Sequence, residues 1–262
     1  MLSRRFLRIK VLQALYAFTQ EGSGNVAAAE RSLFKSLDKL YELYIHQLSL
    51  LVAVVDFARL RNEENKLKFL PTSEDLNPNT RFAENRILEK LENNGQLSRL
   101  SKEYHIYWKD EEDLIRKLYN TLRESDEFAD YKNSEEDTFS RDKYLVSKVL
   151  LAIMSESEWL RFYYEDKFIY WKEDFDLSIM MVDKTLAAIK EKHDEFMVLP
   201  TLLKDEDRDG GSEDKEFLKL LFRKTITQDK EFEQLIDEQT ENWESERIAL
   251  MDKLILKMAL AE

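Results

Sequence analysis

Apolar positions recur along this chain at the three- and four-residue spacing of helices almost from its first residue. In residues 1–20, MLSRRFLRIKVLQALYAFTQ, a turn of about 100° per residue puts Leu7, Val11, Ala14 and Phe18 on one stripe. Phe6, Ile9 and Leu12 cover much of the remaining circumference. The pattern predicts a helix that is apolar nearly all round, buried centrally with its start in water. Ser3 is positioned to cap it, its hydroxyl accepting from a free amide in the first turn.

Gly22 and Gly24 close that helix, and Asn25 can cap a second that runs towards Asn65. There Leu33, Leu37, Leu40, Tyr44, Leu48 and Leu51 recur at threes and fours before the richer run LVAVVDF. Two prolines break PTSEDLNPNT, residues 71–80. Helical patterning resumes around 80–93, 110–124 and 137–155, and again from Asp176 to about Lys192, ahead of Pro200. The charged run KDEDRDGGSEDK, residues 204–215, reads as a linker. Beyond it, Phe217, Leu220 and Leu221 mark one segment and Phe232, Leu235 and Ile236 another. Ile248, Met251, Leu254, Ile255, Met258 and Ala259 form an apolar stripe on the last.

Composition agrees with an all-α fold. The 262 residues are 43% hydrophobic and contain only five glycines and three prolines, too few for a turn-rich β protein. Charge adds an asymmetry: the net value is -13, yet Arg4, Arg5, Arg8 and Lys10 all precede the first acid, Glu21. An acidic body repels phosphate, so nucleic acid would have to meet a local patch, and the N-terminus supplies one. The chain has no cysteine, which excludes disulfides and thiolate chemistry and fits a reducing cytoplasm. A basic start followed by apolar residues also has the form of a targeting peptide, but Gln13, Thr19 and Gln20 interrupt it. No stretch is expected to approach the ~20 apolar residues of a membrane span. The expectation is a soluble, cytoplasmic protein with no membrane partner.

Candidate chemistry is sparse. Trp159, Phe162, Tyr163, Tyr164, Phe168, Tyr170, Trp171 and Phe175 make residues 159–175 dense in aromatics. The interleaved Glu165, Asp166, Glu173 and Asp174 favour a packed or partner-facing helix over a base-stacking platform. Asp205, Asp207, Asp209, Gly210 and Glu216 approximate a calcium-loop spacing, against which stand Ser212 at the usual aliphatic position, Pro200 before it and no second loop. A solvated linker is the plainer reading, and no metal or cofactor is implied. His46, His105 and His193 are scattered, and no phosphate loop, nucleophile elbow or singular carboxylate pair stands out, so no enzyme is indicated. Arg4, Arg5 and Arg8 remain, on the first turns of a helix where guanidinium groups and free amides meet phosphates together. Gln13 and Tyr16 reach bases only if the helix is exposed on their side. The plainer alternative is a solubilising helix start.

RRFLRIKVLQALYAF, with its Gln13-Ala14-Leu15-Tyr16 run, resembles the opening of the transcription antitermination factor NusB family. Arg247, Ile248, Asp252, Ile255, Leu256, Ala259 and Glu262 match a second pattern of that family, R-I-x-x-x-D-x-x-I-L-x-x-A-x-x-E. Residues 1–55 and 211–262 carry the resemblance. It implies a NusB-like helical bundle built from 1–60 and 211–262, with 61–210 as a large helical insertion. Phe6 departs from a position that is often basic, and the family's two further helices and asparagine-glycine motif would follow Glu262.

The resemblance implies an RNA-binding factor that pairs with ribosomal protein NusE, holds boxA-type RNA and joins the RNA polymerase elongation complex during ribosomal RNA synthesis. Arg4, Arg5, Arg8, Lys10, Gln13 and Tyr16 are the expected RNA-binding residues. Asp252 and Glu246 are those expected on the NusE side, and the C-terminal stripe leaves room for a homo-oligomer. Two rivals stand beside this: the NusB-like N-terminal module of a ribosomal RNA cytosine methyltransferase, and a helical scaffold without RNA binding.

Overall fold

The computed structural model describes residues 2–22, 24–204, 212–239 and 248–262, and among these it contains helices and no strand. The helices are α1 (Arg4–Glu21), α2 (Val26–Lys66), α3 (Ser73–Leu76), α4 (Arg86–Glu92) and α5 (Gly95–Glu103). Next come α6 (Glu112–Glu124), α7 (Asp126–Asn133), α8 (Phe139–Tyr144), α9 (Leu151–Glu156), α10 (Glu158–Lys167) and α11 (Trp171–Ala188). The last are α12 (Glu213–Thr227), α13 (Asp229–Gln239) and α14 (Leu250–Ala261). The all-α expectation holds.

The chain divides into two compact units, one of residues Met1–Asp38 and Thr201–Glu262, the other of Lys39–Pro200. The first of these boundaries falls inside α2, so that single helix contributes to both.

In the first unit, α1 packs on α12 and α14, and α14 also packs on α12 and α13. Leu7, Val11, Leu15, Leu33, Leu218, Phe222, Leu254 and Met258 are buried in it. Each such side chain contributes roughly 1.5–3 kcal/mol by leaving water. Gly22 stops α1 in the left-handed region, φ 62°, its amide donating to the Phe18 carbonyl at 3.3 Å. Asn25 caps α2 as expected, its Oδ1 accepting from the Ala28 amide at 3.0 Å. Ser3 occupies the N-cap position of α1, but its hydroxyl makes no capping bond; its carbonyl accepts from Phe6 and Leu7 instead. Nor is α1 apolar on a fully covered surface: Ile9 and Tyr16 are 39% and 40% exposed. Leu7, Val11 and Leu15 form its buried stripe, with Ala14 and Phe18 only half-buried.

In the second unit, Tyr44, Leu48, Val55, Leu88, Leu122, Leu150, Tyr164, Phe175 and Leu186 are buried. The helix expected at 137–155 is one helical run, Phe139–Glu156, wound as a π-helix over Leu145–Leu150. The aromatic segment 159–175 is split between α10 and α11. Tyr164, Phe168 and Phe175 are buried, whereas Trp159 and Phe162 are 49% and 63% exposed. His46 packs edge-on against Trp108, Tyr164 and Phe168 at 5.0–6.1 Å. That burial holds it neutral, lowering its pKa to about 3, with the Lys167 and Lys39 charges adding to the effect.

One membrane expectation needs correction. α2 is long and apolar enough to cross a bilayer, and 67% of its apolar window is buried inside the protein, as in a core helix.

Candidate nucleic-acid interface

The basic residues of α1 have three different fates, which their spacing on the helix decides. Arg4 lies towards α12. Its Nη2 donates to Glu213 Oε1 at 2.8 Å and stands 3.5 Å from Asp214 Oδ1, while its guanidinium lies 4.2 Å from the centroid of the Phe217 ring. Arg8, one turn on, donates from Nε to Glu262 Oε2 at 2.6 Å and from Nη2 to Oε1, and its guanidinium is 5.8 Å from the same ring. Phe217 thus serves both arginines.

Arg5 points outward. It is exposed and forms no ion pair among the described residues. At about 100° per residue, Ile9, Gln13 and Tyr16 follow it on one outward strip. Tyr16 is exposed and Gln13 half-buried.

Lys10 corrects the sequence reading. It lies on the flank of the buried stripe, is 3% exposed and is engaged within the protein, so its ammonium is not offered to a ligand. A long aliphatic stem lets such a residue join an apolar face.

The α12 start explains where the acids facing Arg4 come from. Ser212 caps that helix, accepting from Lys215, and its hydroxyl donates to the Lys204 carbonyl at 2.6 Å; Asp214 accepts from the Lys204 amide at 2.8 Å. Glu213, Asp214 and Glu216 crowd the first turn, where a helix favours negative charge. Sequence reading assigned 204–215 to a linker and so missed Glu213 as a neighbour of the arginines, and it placed Phe217 on a helical segment without pairing it with them. Only the acid-rich first turn after Ser212 could have signalled it.

On the expected partner side, Asp252 is exposed on α14. The C-terminal stripe splits: Leu254 and Met258 are buried, while Met251, Ile255, Leu256 and Leu260 are 41–45% exposed on the outer side with Asp252. Lys224 closes the end of α14 by donating to the Ala261 carbonyl at 2.7 Å. Glu246 lies outside the described residues, as do Arg247 and Asp205, Asp207, Asp209 and Gly210 of the calcium-like loop. Glu216, the last member of that pattern, is in α12 and pairs with Lys219 at 3.2 Å. Among the described residues no cluster of three His, Asp or Glu side chains is arranged to hold a metal.

The architecture is that of an all-α protein whose cationic helix start is braced by a C-terminal group of helices. Residues 179–262, about a third of the chain, match the NusB family. The matched stretch begins within α11 and takes in α12, which supplies Glu213 and Phe217, α13, α14 and the residue after it, Glu262; the N-terminal arginines and the Gln13–Tyr16 run lie before it. No curated protein and no solved structure matches the chain.

Proposed function

We propose that this protein is a non-catalytic, cytoplasmic RNA-binding transcription antitermination factor that holds boxA-type RNA together with NusE and joins the elongating polymerase in ribosomal RNA synthesis. The observation that carries this reading is the NusB-family match over residues 179–262, whose helices hold the two arginines that sequence reading singled out. Arg5 makes the first phosphate contact, having no carboxylate partner among the described residues. Arg4 and Arg8 follow by exchanging Glu213 and Glu262 for phosphate oxygens, and Tyr16 and Gln13 lie further along the same strip for contact with unpaired bases. Asp252 and the apolar outer side of α14 suit a basic ribosomal protein, which brings cations to an acidic chain.

The test is a titration of boxA-type RNA with and without NusE at several salt concentrations, repeated with Arg4, Arg5 and Arg8 changed to alanine. Salt-dependent binding that NusE strengthens, and that the triple change weakens by at least about tenfold, is the expected result. Undiminished RNA binding by the triple variant would falsify the patch assignment. An absence of RNA binding in the parent protein would favour the scaffold reading, and RNA binding indifferent to NusE the methyltransferase-module reading.

A further inference from the structure

Within the second unit, the end of α2, the α3 turn and the ends of α6 and α7 enclose a polar cavity of about 220 Å³. Arg61, Asn62, Asn65, Tyr119, Arg123 and Lys132 line it. In a chain of net charge -13 this is a local concentration of cations.

What decides its chemistry is which groups the protein already uses. Lys68, also on the wall, is held by Asp75 at 2.8 Å. Asp75 accepts as well from the amide and hydroxyl of Thr72, each at 3.0 Å, so this wall carboxylate is saturated. The other wall carboxylate, Glu74, is 80% exposed and comes no nearer than 3.7 Å to Lys132. Arg61 pairs with Glu64 along α2 at 3.0 Å.

The remaining donors are unspent. Arg123 has no carboxylate partner among the described residues; its guanidinium lies 5.8 Å from the Tyr119 ring centroid. Asn62 and Asn65 are half-buried, and among the described residues their side-chain amides hydrogen-bond to nothing in the protein. Their amides are not sealed from solvent, so they remain open to a ligand that enters the cavity. Two such amides beside an unpaired guanidinium and a loosely held ammonium make a convergent set of donors, which is what an oxyanion requires. Arg123 and Lys132 also stand in the last turns of α6 and α7, where cations complement exposed carbonyls. That role explains neither the open amides of Asn62 and Asn65 nor the enclosure.

We propose that this cavity binds a phosphate group, held by Arg123 and Lys132 and by the Asn62 and Asn65 amides. Its volume lies below the roughly 300–1,000 Å³ of drug-sized pockets, which suits one phosphate or the end of a phosphomonoester. The site is independent of the N-terminal patch, and the phosphate arrives either free or as part of an RNA backbone.

Calorimetric titration of the full chain with sodium phosphate, against sodium chloride at equal ionic strength, tests this. Saturable phosphate binding is expected, weakened at least about tenfold by Arg123→Gln and abolished by Asn65→Asp, which adds a carboxylate to the wall. A thermal melt confirms that each variant is folded. A second arm titrates a short RNA of arbitrary sequence into protein with Arg4, Arg5 and Arg8 changed to alanine. RNA binding there that Asn65→Asp removes assigns the site to backbone phosphate, and phosphate binding alone assigns it to the free anion. The proposal is overturned if phosphate binds no better than chloride while RNA binding ignores Asn65→Asp, or if both folded variants bind phosphate like the parent.

Discussion

Arg8 holds the carboxylate of Glu262 through both Nε and Nη2, joining the second turn of α1 to the residue that follows α14. The bond lowers the Glu262 pKa and raises that of Arg8. Glu262→Gln frees Arg8 without removing it. Fluorescence anisotropy with boxA-type RNA is expected to give the variant an affinity about two- to fivefold higher than the parent, corresponding to release of a weak surface ion pair. Equal or lower affinity would mean that Arg8 does not reach RNA.

The same bond has a pH signature. A carboxyl whose pKa is depressed by folding contributes stability above its ordinary range and loses it as pH falls through the depressed value. Urea melts are therefore expected to show an acid-side loss in the parent that Glu262→Gln reduces.

Arg5 behaves differently because it begins without a carboxylate. Its replacement by alanine is expected to lower the slope of log affinity against log salt by about one, while stability stays within about 0.5 kcal/mol. Arg4→Ala and Arg8→Ala change the slope less, since each phosphate gained there releases a carboxylate that takes up a cation of its own. Equal slope changes at all three positions would remove the exchange from the mechanism.

His46 sets a second acid limit, in the other unit. With its folded pKa at about 3 and an unfolded value near 6.5, stability is full above the unfolded value and falls as pH drops towards the folded one. Between pH 7.5 and pH 5 the loss should be about 2 kcal/mol. Denaturant unfolding followed by the fluorescence of the neighbouring Trp108 measures it, and in His46→Phe the slope over that window should disappear.

Asp142 organises a buried polar network. It is 2% exposed and accepts from the Tyr131 hydroxyl at 2.7 Å and from Arg86 Nε at 2.5 Å, while Asn85 donates to its carbonyl at 3.2 Å. Asp142→Ala keeps the carbonyl that Asn85 uses but takes the carboxylate from the Tyr131 hydroxyl and Arg86 Nε, and should cost about 2–4 kcal/mol in a urea melt. A loss below 1 kcal/mol would mean that water replaces the carboxylate freely.

Leu256 tests the partner face. It is 42% exposed beside Asp252, so Leu256→Asp should leave the melting temperature almost unchanged while abolishing co-binding of NusE in a pull-down with RNA present. Retained NusE binding would remove this side of α14 from the interface.

The helical period carried most of the fold in this sequence, because Leu and its equivalents at threes and fours mark buried stripes whatever the tertiary arrangement. It read the Asn25 cap and the glycine stop correctly, both being local chemistry. It could not rank the cations of α1. Lys10 and Arg5 look alike as letters, and only the placement of the Leu7–Val11–Leu15 stripe buries one and exposes the other. Arg4 and Arg8 were legible as an anion site, but their acids lie 209 and 254 residues away along the chain, beyond the reach of any local pattern. The helices Gly95–Glu103 and Asp126–Asn133 lie outside the stretches whose helical period is legible, because each is short and mostly polar. The helix boundaries near 86 and 171 depended in the same way on packing that no window contains.

The π-wound stretch Leu145–Leu150 accommodates a residue that the α-helical repeat does not require. Such a turn is the trace of a one-residue insertion absorbed inside a helix, and it sets the phase between the two flanking α segments. Deleting a single residue there would rewind Phe139–Glu156 as plain α-helix and rotate Leu151 and Met154 by about 100° relative to Asp142, so that one half of the run would lose its buried face. Relatives of this chain should therefore tolerate changes of length in the loops on either side of the run far more readily than the loss of one residue within it.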